Sequence, residues 1–394
     1  MKPASVPSSQ SPEHPLLATA RQFAPRVSSR AEEIEAARRL PADLARELAQ
    51  AGLFRMLIPE AYGGLELHPT TFIEVIETIS RADGATGWCL MIGASTGMAS
   101  AWLPKPAARA IFEPPETIVG GVAAPMGRAE RVEGGFRVTG RWPWASGSQN
   151  CQWLIGGTLV TQDGKLSLSP AGVPEMRLFA FPSQDVMLHD TWHASGLCGT
   201  GSGDMEVKDL FVSAEYGFSL LTERPRVDRP LYTFPALGLL AVGLPAITLG
   251  IARRAIDELS ALAHQKVLLP SRKKLATRSA VQTAVAEAEA LLRSARALLM
   301  ESVHATWNTA ALGALTPRTR AELRLALTHA VRSSARVVDL MYEAAGGTAV
   351  FRTSPLQRCF RDVHTATQHA MVAPPLLETI GSVLLGLETD TTPL

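Results

Sequence analysis

The segment from Gly346 to Val372 (GGTAVFRTSPLQRCFRDVHTATQHAMV) combines several residue types that could do chemistry. It holds two of the chain's nine histidines, and an imidazole can donate or accept a proton near physiological pH. The glycine pair and the later Ser354-Pro355 indicate a helix stop and a turn. From Leu356 the apolar spacing predicts one helix that carries Arg358, Arg361, Asp362, His364 and His369.

The spacing of the two histidines argues against a shared metal ion. His369 follows His364 by five residues, which places the side chains about 140° apart around a helix. Metal ligands on one helix face usually stand three or four residues apart. We therefore predict no metal site, and expect one histidine to face a pocket while the other pairs with protein groups.

Two further stretches could line a ligand. The small-residue helix predicted over GATGWCLMIGASTGMASAWL fits close packing beside a ligand, and Trp88 is its large exception, either core filler or a pocket wall. The turn GTGSG, residues 199–203, has the glycine content of a phosphate loop. No P-loop lysine follows it and no strand–turn–helix surrounds it, so as a nucleotide motif it is weak.

A basic loop, HQKVLLPSRKKLATRS, lies between two predicted helices near residue 270. Charge runs of this kind are usually solvated connections. A phosphate-bearing ligand nevertheless needs a cation, and this is the best-placed group of cations in the chain. Arg272 or Arg278 could therefore contact a phosphate, within the chain or across a subunit interface.

Composition describes an ordinary soluble protein of two or three domains. The 394 residues are 46% hydrophobic and 19% charged, with a net charge of +1. This balance gives no electrostatic footprint for nucleic acid or for an anionic membrane. The four cysteines lack CxxC spacing, which argues against a zinc site or a disulfide framework and suits the cytoplasm.

Changes in pattern along the chain predict an α+β protein with a tail and three domains. Residues 1–15 are rich in proline and serine and are expected to be a disordered tail. Residues 16–116 show helical spacing, and residues 117–225 show the alternation of an antiparallel β domain. Residues 226–394 return to long helices with apolar stripes, which predict a four-helix bundle.

Within the last domain we predict helices over Leu239–Ala263, Ala280–Ala310 and Thr316–Ala345, the third with Thr316 as cap and Pro317 at its first position. The uncharged stretch from Phe234 to Ala252 is as long as a short membrane span. It contains prolines and glycines, and an amphipathic segment follows it directly. We therefore predict a buried core helix and no membrane association.

Several motifs together resemble the flavin-dependent monooxygenases built on the acyl-CoA dehydrogenase fold, the two-component, p-hydroxyphenylacetate hydroxylase type (group D). They are IPEAYGGLEL, RWPWASG at Arg141–Gly147, DTWHASGLCGTGSGDMEVKDLFV, the Gly346-Gly347 pair and Arg361-Asp362. The dehydrogenases follow the last pair with a catalytic Glu-Gly-Thr, where this chain reads Gln368-His369-Ala370. A histidine in that place is typical of the monooxygenase branch.

The resemblance implies a three-part fold, with an N-terminal helical domain, a middle antiparallel β-barrel and a C-terminal four-helix bundle. It also implies site residues. His369 and Ser146 would be catalytic, with Trp144 packed on the flavin ring and the Ser146 hydroxyl bonded to its N5 atom. Further cofactor contacts would come from Ala124, Thr200, Ser202, Arg272, Arg278, Gly346 and Gly347, and the substrate pocket from Trp88, Thr96 and Met126.

The implied activity is that of an oxygenase component, which by the same resemblance would be a cytoplasmic homotetramer. Reduced FMN, or FAD, would come from a separate reductase, since no nicotinamide-binding fingerprint is visible. With O2 it would form a C4a-hydroperoxide that hydroxylates, or oxidises at nitrogen or sulfur, a small aromatic or specialised-metabolite substrate. The alternative is an acyl-CoA dehydrogenase-like, FAD-dependent desaturase, for which the sequence offers no evident base.

Two departures from the family patterns bear on the substrate. The dehydrogenase Thr-Glu-Pro-Gly-x-Gly-Ser segment is replaced by Val122-Ala-Ala-Pro-Met-Gly127, which makes that wall more apolar. Phenol hydroxylases of the family carry a histidine where this chain has Ser95-Thr96-Gly97. An amine, a sulfur compound, an indole or a larger aromatic therefore remains open beside a simple phenol.

Overall fold

The computed structural model describes residues 13–169 and 172–394, so most of the predicted tail lies outside the described residues. The first part is helical: α1 Pro15–Ser29, α2 Ala31–Ala37, α3 Ala42–Gln50, α4 Pro69–Ala82, α5 Gly84–Thr96 and α6 Lys105–Phe112. Helix α5 begins where the Asp83 carboxylate accepts the Thr86 backbone N–H at 2.7 Å. Nearly all of α5 is buried, because its small residues let other elements pack closely around it.

The middle part is one eight-stranded sheet. Its strands are β1 Val119–Val132, β2 Gly135–Trp142, β3 Trp153–Gln162, β4 Lys165–Leu166, β5 Met176–Pro182, β6 Met187–His189, β7 Asp204–Ser213 and β8 Gly217–Phe218. The strand order is β6-β7-β2-β1-β3-β5-β8, with β4 paired to β3.

The prediction of an antiparallel barrel is wrong in two respects. Strands β1 and β3 pair in parallel, so the sheet is mixed. In the part of the chain that the structure describes, β6 and β8 end the sheet and no pairing closes it. The parallel pair arises because the chain leaves the end of β2, crosses the start of β1 and enters β3 on the other side of β1.

This crossover, residues 143–152, positions the predicted flavin-contacting residues. It is anchored by the Ala145 backbone N–H, which donates to Gly203 at 2.9 Å, and by the Gly147 N–H, which donates to Thr200 at 2.8 Å. Below it, the fully buried Trp142 donates its indole N–H to Gly157 at 2.7 Å. The segment is therefore fixed to both the sheet and the glycine-rich turn before β7.

The last part consists of α7 Ala236–Ala241, α8 Gly243–Gln265, α9 Ser279–Ala311, α10 Pro317–Ala345, α11 Pro355–Ala366 and α12 Pro375–Leu384. Helix α10 contacts α8, α9 and α11, and α8 also contacts α4 of the first part. The predicted cap is confirmed, since the Thr316 hydroxyl accepts the Thr319 N–H at 3.1 Å.

The apolar stretch proves to be a core element. Residues 236–265 form α7 and α8, and 78% of the most apolar window is buried inside the fold. Length and apolar composition alone would also suit a membrane span, but a core helix of a soluble protein passes the same test. The prediction of a buried helix over this stretch is confirmed.

Candidate active site

Ser146 lies at the centre of a buried chain of hydrogen bonds. The Trp88 indole N–H donates to the Ser146 Oγ at 3.0 Å. The Ser146 and Ser202 hydroxyls are 2.6 Å apart, and the Ser202 and Thr200 hydroxyls are also 2.6 Å apart. Thr200 donates to the Leu197 carbonyl at 2.8 Å. The chain thus joins α5, the crossover and the glycine-rich turn, and unites four of the predicted site residues.

The direction of every proton in this chain follows from its two ends. An indole N–H can only donate and a carbonyl can only accept. Because Thr200 gives its proton to Leu197, it must accept from Ser202, and Ser202 must then accept from Ser146. The Ser146 hydroxyl has therefore committed its proton, and its remaining lone pair can accept one further N–H.

His369 contacts this hydrogen-bond chain through the ring of Trp88. The two rings are 5.8 Å apart between centroids and inclined by 60°. The prediction that His369 lies on the same helix as His364 is wrong, because α11 ends at Ala366. Pro374 and Pro375 follow shortly after, and the residue before a proline disfavours helix. His369 instead precedes a short turn, Ala370–Val372, that connects α11 to α12.

The environment of His369 sets its tautomer and its charge. Its Nδ1 accepts the Met371 backbone N–H at 3.2 Å, so the proton of the neutral ring resides on Nε2. Burial, and to a smaller extent the charge of Arg324, lower the pKa of His369 to about 4. At neutral pH the side chain is thus an uncharged N–H donor, which suits orienting an oxygen atom better than accepting a proton.

Trp144 is held in a strained and open position. Its φ is +66°, a conformation uncommon for a large residue, and its side chain is 63% exposed. Such strain persists only where the surroundings impose it, and it concentrates at ligand-binding sites. An exposed indole beside a buried hydroxyl with a free lone pair fits a flat, heteroaromatic cofactor such as a flavin.

The apolar wall predicted on β1 lies in an irregular part of that strand. The pairing of β1 with β3 shifts register between Val122 and Pro125 and again between Pro125 and Gly127. Ala124 is exposed, and Met126 is 50% exposed. Both side chains are therefore accessible, and their assignment to the site stays a prediction.

Thr96 is less clearly placed. Its hydroxyl donates to the Ile92 carbonyl of its own helix at 2.7 Å. It follows Trp88 by eight residues, so it lies about 12 Å farther along α5. Its assignment to the substrate pocket stays a prediction.

The predicted phosphate contacts lie at the other end of the bundle. Lys266 donates to the Ala345 carbonyl at 2.9 Å and to the Thr348 hydroxyl at 2.7 Å, which ties the basic loop to Gly346-Gly347. Arg272 and Arg278 are exposed in this loop. Gly346 has φ +61° and ψ −149°, a conformation that essentially only glycine adopts.

Arg358, Arg361, Asp362 and His364 pair with protein groups. His364 Nε2 lies 2.9 Å from the Asp339 carboxylate, and Arg361 pairs with Glu35 of α2. Asp362 accepts the Leu197 backbone N–H at 2.6 Å. These contacts join α11 to α10, α2 and the glycine-rich turn, which is a structural role.

Sequence reasoning missed two buried residues of α10, Arg324 and Thr328. Arg324 is 3% exposed, and Thr328 is fully buried. A signal was available, because Arg324 falls in the apolar stripe formed by Ala321, Thr328 and Val331 at helical spacing. A charged residue in such a stripe is rarely buried without a partner.

A surface cleft of about 700 Å³ lies elsewhere, between α1, α4, α8 and α9. Its arginines are paired; Arg296, for example, donates to Glu77 at 2.8 Å. None of the predicted site residues lines it. We therefore predict that the active site lies at the Ser146 hydrogen-bond chain.

Comparison with known proteins identifies the family of this protein. Residues 11–104 match the family described as acyl-CoA dehydrogenase, N-terminal domain, and residues 242–374 match acyl-CoA dehydrogenase, C-terminal domain. Indole-3-acetate monooxygenase of Pseudomonas putida is 35% identical over 92% of this chain and 91% of its own length. The oxygenase subunit HsaA of a flavin-dependent monooxygenase from Rhodococcus jostii is 30% identical over 89% and 92%.

A solved structure extends the likeness to the cofactor. XiaF from a Streptomyces species, in complex with FADH2 and glycerol, superposes with a TM-score of 0.87 at 25% identity, covering 95% of this chain and 96% of XiaF. The chain belongs to the flavin-dependent monooxygenases of the acyl-CoA dehydrogenase fold. The comparisons give no support to the desaturase alternative.

Proposed function

We propose that this chain is the oxygenase component of a two-component system that oxygenates a small aromatic molecule. It would receive reduced FMN, or FAD, from a separate reductase in the cytoplasm. Relatives named for indole-3-acetate and for an oxygenase subunit support both parts of the proposal. The observation that carries it is the buried chain Trp88–Ser146–Ser202–Thr200 with His369 against Trp88.

A bound reduced flavin would supply two electrons to O2, one oxygen atom then entering the substrate and the other leaving as water. Trp144 would offer its exposed indole to the flavin ring. The free lone pair of Ser146 would accept an N–H from the reduced ring, an interaction that the committed proton of Ser146 favours. His369 would donate its Nε2–H to an oxygen atom and hold it toward the substrate.

Ser146 is closely packed on the side that faces the protein. Trp88 is 8% exposed and Ser146 5%. The cavity beside Ser146, lined in part by Cys89, Gly120 and Cys151, is about 10 Å³, so it admits at most one water molecule. A dry site slows proton delivery to a reduced oxygen species and so suppresses its loss as H2O2.

Arg272 and Arg278 would hold the flavin phosphate together with the Gly346-Gly347 turn. The two groups of site residues are at different ends of the bundle, so we infer that each flavin spans two chains of a homo-oligomer, a tetramer by resemblance to the family. Lys266 donates to Ala345 and Thr348 and so holds the basic loop against the Gly346-Gly347 turn. This contact supports one phosphate site formed by both segments.

The test is oxygen consumption by the purified chain supplied with chemically reduced FMN or FAD and indole-3-acetate. We expect substrate-dependent formation of an oxygenated product that contains one atom from 18O2, detected by mass spectrometry. Reduction of a tightly bound oxidised flavin by an acyl-CoA thioester, without oxygenated product, would instead show a dehydrogenase.

A further inference from the structure

The turn that carries His369 lies against a defined stretch of α10. His364, at the end of α11, pairs with Asp339. After the turn, Leu376 and Ile380 of α12 pack in one cluster with Ala321. The segment from α11 to α12 thus runs back along α10, from the level of residue 339 to that of residue 321. His369 lies between these levels. Arg324 and Thr328 belong to the same stretch.

Arg324 has unused hydrogen-bond donors although it is buried. Its Nη2 donates to the Pro393 carbonyl at 3.1 Å, whereas its Nε and Nη1 have no acceptor among the described residues. The hydroxyl of Thr328, one turn farther along α10, likewise has no partner there. Two neighbouring side chains therefore present unused donors beside the His369 turn.

Arg55 shows how a structural arginine is accommodated in this fold. It is 6% exposed, and its guanidinium donates to the carbonyls of Tyr62, Gly63, Phe112 and Pro114. Arg324 has a single such bond. Since an unpaired buried charge is costly, the difference indicates that another group completes the contacts of Arg324 in the functional state.

The charge of Arg324 persists under working conditions. Burial lowers the pKa of Arg324 to about 10, which leaves the guanidinium protonated at neutral pH. Its charge also reaches His369, whose pKa it lowers. A guanidinium and a hydroxyl together match a group that only accepts hydrogen bonds. One positive charge balances a monoanion, which favours a carboxylate over a phosphate.

We propose that Arg324 and Thr328 form a subsite for a carboxylate of the substrate, beside His369. The proposal rests on the oxygenase function above and narrows its substrate class to aromatic acids. The aromatic ring would then extend from the carboxylate toward Trp88 and His369.

Binding of matched acids and amides tests this subsite without turnover. Isothermal titration of the full chain, with and without oxidised FMN, would compare indole-3-acetate with indole-3-acetamide and 4-hydroxyphenylacetate with its amide. We expect each acid to bind about 10- to 100-fold more tightly than its amide, the range expected for hydrogen bonds to a charged group. Arg324→Met should remove that preference and leave the affinity for the amides within about twofold.

Two variants separate recognition from folding. Arg336→Met removes an exposed arginine from the same helix and should leave the acid preference unchanged. Thr328→Val keeps the side-chain shape and should weaken the binding of the acids severalfold. It therefore tests the subsite even if Arg324→Met fails to fold. Equal affinity of the wild type for acids and amides, no binding of either acid, or unchanged acid affinity in a folded variant would each overturn the proposal. Turnover of a neutral aromatic would in that case still uphold the oxygenase function.

Discussion

At the scale of single residues, the orientation of one proton distinguishes the redox states of a flavin. The Leu197 carbonyl ends the hydroxyl chain, so Ser146 donates to Ser202 and is free only to accept. Reduced flavin carries an N–H at its N5 position, and oxidised flavin carries an acceptor there. If Ser146 faces N5, as proposed above, this hydrogen-bond chain would favour the reduced flavin.

Replacing Ser202 by alanine should weaken this preference. The variant releases the Ser146 proton, which can then be donated to oxidised flavin. We expect the ratio of the two dissociation constants to fall about fivefold, the equivalent of about 1 kcal/mol for one hydrogen bond. Fluorescence titration for oxidised FMN and anaerobic titration for reduced FMN measure the ratio. Ser148→Ala, at a buried serine outside the chain, is the matched control, and an unchanged ratio in Ser202→Ala would contradict the assignment.

His369→Ala should leave the fold intact but lower the yield of product per O2 consumed. The variant loses the Nε2–H donor, so more of the consumed oxygen is released as H2O2. Removing one preorganised hydrogen-bond donor typically slows the step that it serves by about 10²-fold or more, so we expect the rate of substrate oxygenation to fall by about that factor and the yield of product per O2 to fall with it. Product and H2O2 are quantified in the same reaction. His364→Ala, which removes a structural pair, is the control, and unchanged coupling in His369→Ala would remove that residue from the mechanism.

At the scale of elements, Asp362 joins three parts of the fold. It lies on α11, it accepts the Leu197 N–H just before the glycine-rich turn, and its Oδ2 approaches the start of α5 at Gly84. Burial, opposed by the Leu197 bond and reinforced by Asp83, raises the pKa of Asp362 to about 7. The junction therefore contains a carboxyl group that prefers to be neutral.

The raised pKa of Asp362 makes the free energy of unfolding fall as the pH rises. In the unfolded chain Asp362 loses its proton near pH 4, whereas in the folded protein it keeps it up to about pH 7. The stabilisation is thus complete below pH 4 and is lost as the pH rises to 7, at about 1.4 kcal/mol per pH unit. Asp362→Asn, whose amide oxygen can still accept from Leu197, should flatten that part of the profile.

Denaturant unfolding between pH 4 and 8 measures the effect as the difference between wild type and variant. His369 contributes with the opposite sign, because its pKa is lowered from 6.5 to about 4 and its stabilisation is lost as the pH falls. The stability of Asp362→Asn should therefore rise relative to that of the wild type as the pH approaches 7. Parallel profiles would show that the carboxyl group does not titrate in this range.

The sequence predicts the helices well and the strand partners poorly, for physical reasons. Apolar spacing defines α8, α9 and α10 to within a few residues, and a threonine–proline pair marks the start of α10. Alternation identifies a strand but not its neighbour, so the parallel pairing of β1 and β3 depends on a crossover that periodicity does not reveal. His369 lies outside its predicted helix because its ring accepts the Met371 N–H and caps the next turn, a local bond that apolar spacing does not reveal.

The residues of the candidate site were also easier to predict than the contacts between them. Trp88, Ser146, Thr200 and Ser202 were each predicted, but their common hydrogen-bond chain depends on packing between α5, the crossover and the glycine-rich turn. Such contacts join residues that lie far apart in the sequence. Trp88 was predicted as a wall, and its role as a donor to Ser146 became visible only in three dimensions.

At the scale of the whole molecule, the length of α10 separates two groups of site residues. Arg324, at the level of the His369 turn, precedes Gly346 by 22 residues along one continuous helix. At 1.5 Å per residue the separation is about 33 Å, longer than a flavin mononucleotide. If both ends contact one flavin mononucleotide, as proposed above, a symmetric pair would have to bring one end of each chain together.

Mixing defective chains tests whether the flavin site is shared. A chain with Arg272→Ala and Arg278→Ala would lose the phosphate contacts, and a chain with Ser146→Ala and His369→Ala would lose the chemistry. If one site takes its phosphate contacts from one chain and its chemistry from the other, each mixed pair contains one intact site. A random mixture of the two coexpressed chains should then regain about a quarter of wild-type product formation in a two-fold symmetric pair.

A second mixture supplies the control, because its defects lie in the same part of the site. Chains with Ser146→Ala and chains with His369→Ala both damage the group around Trp88, so every site in their mixed pairs keeps a defect whichever chain provides the phosphate contacts. Recovery in the first mixture and none in the second requires a site built from two chains. No recovery in either mixture, with mixed oligomers verified by tandem affinity purification, would confine the flavin to one chain and would return Arg272 and Arg278 to the role of solvated loop residues.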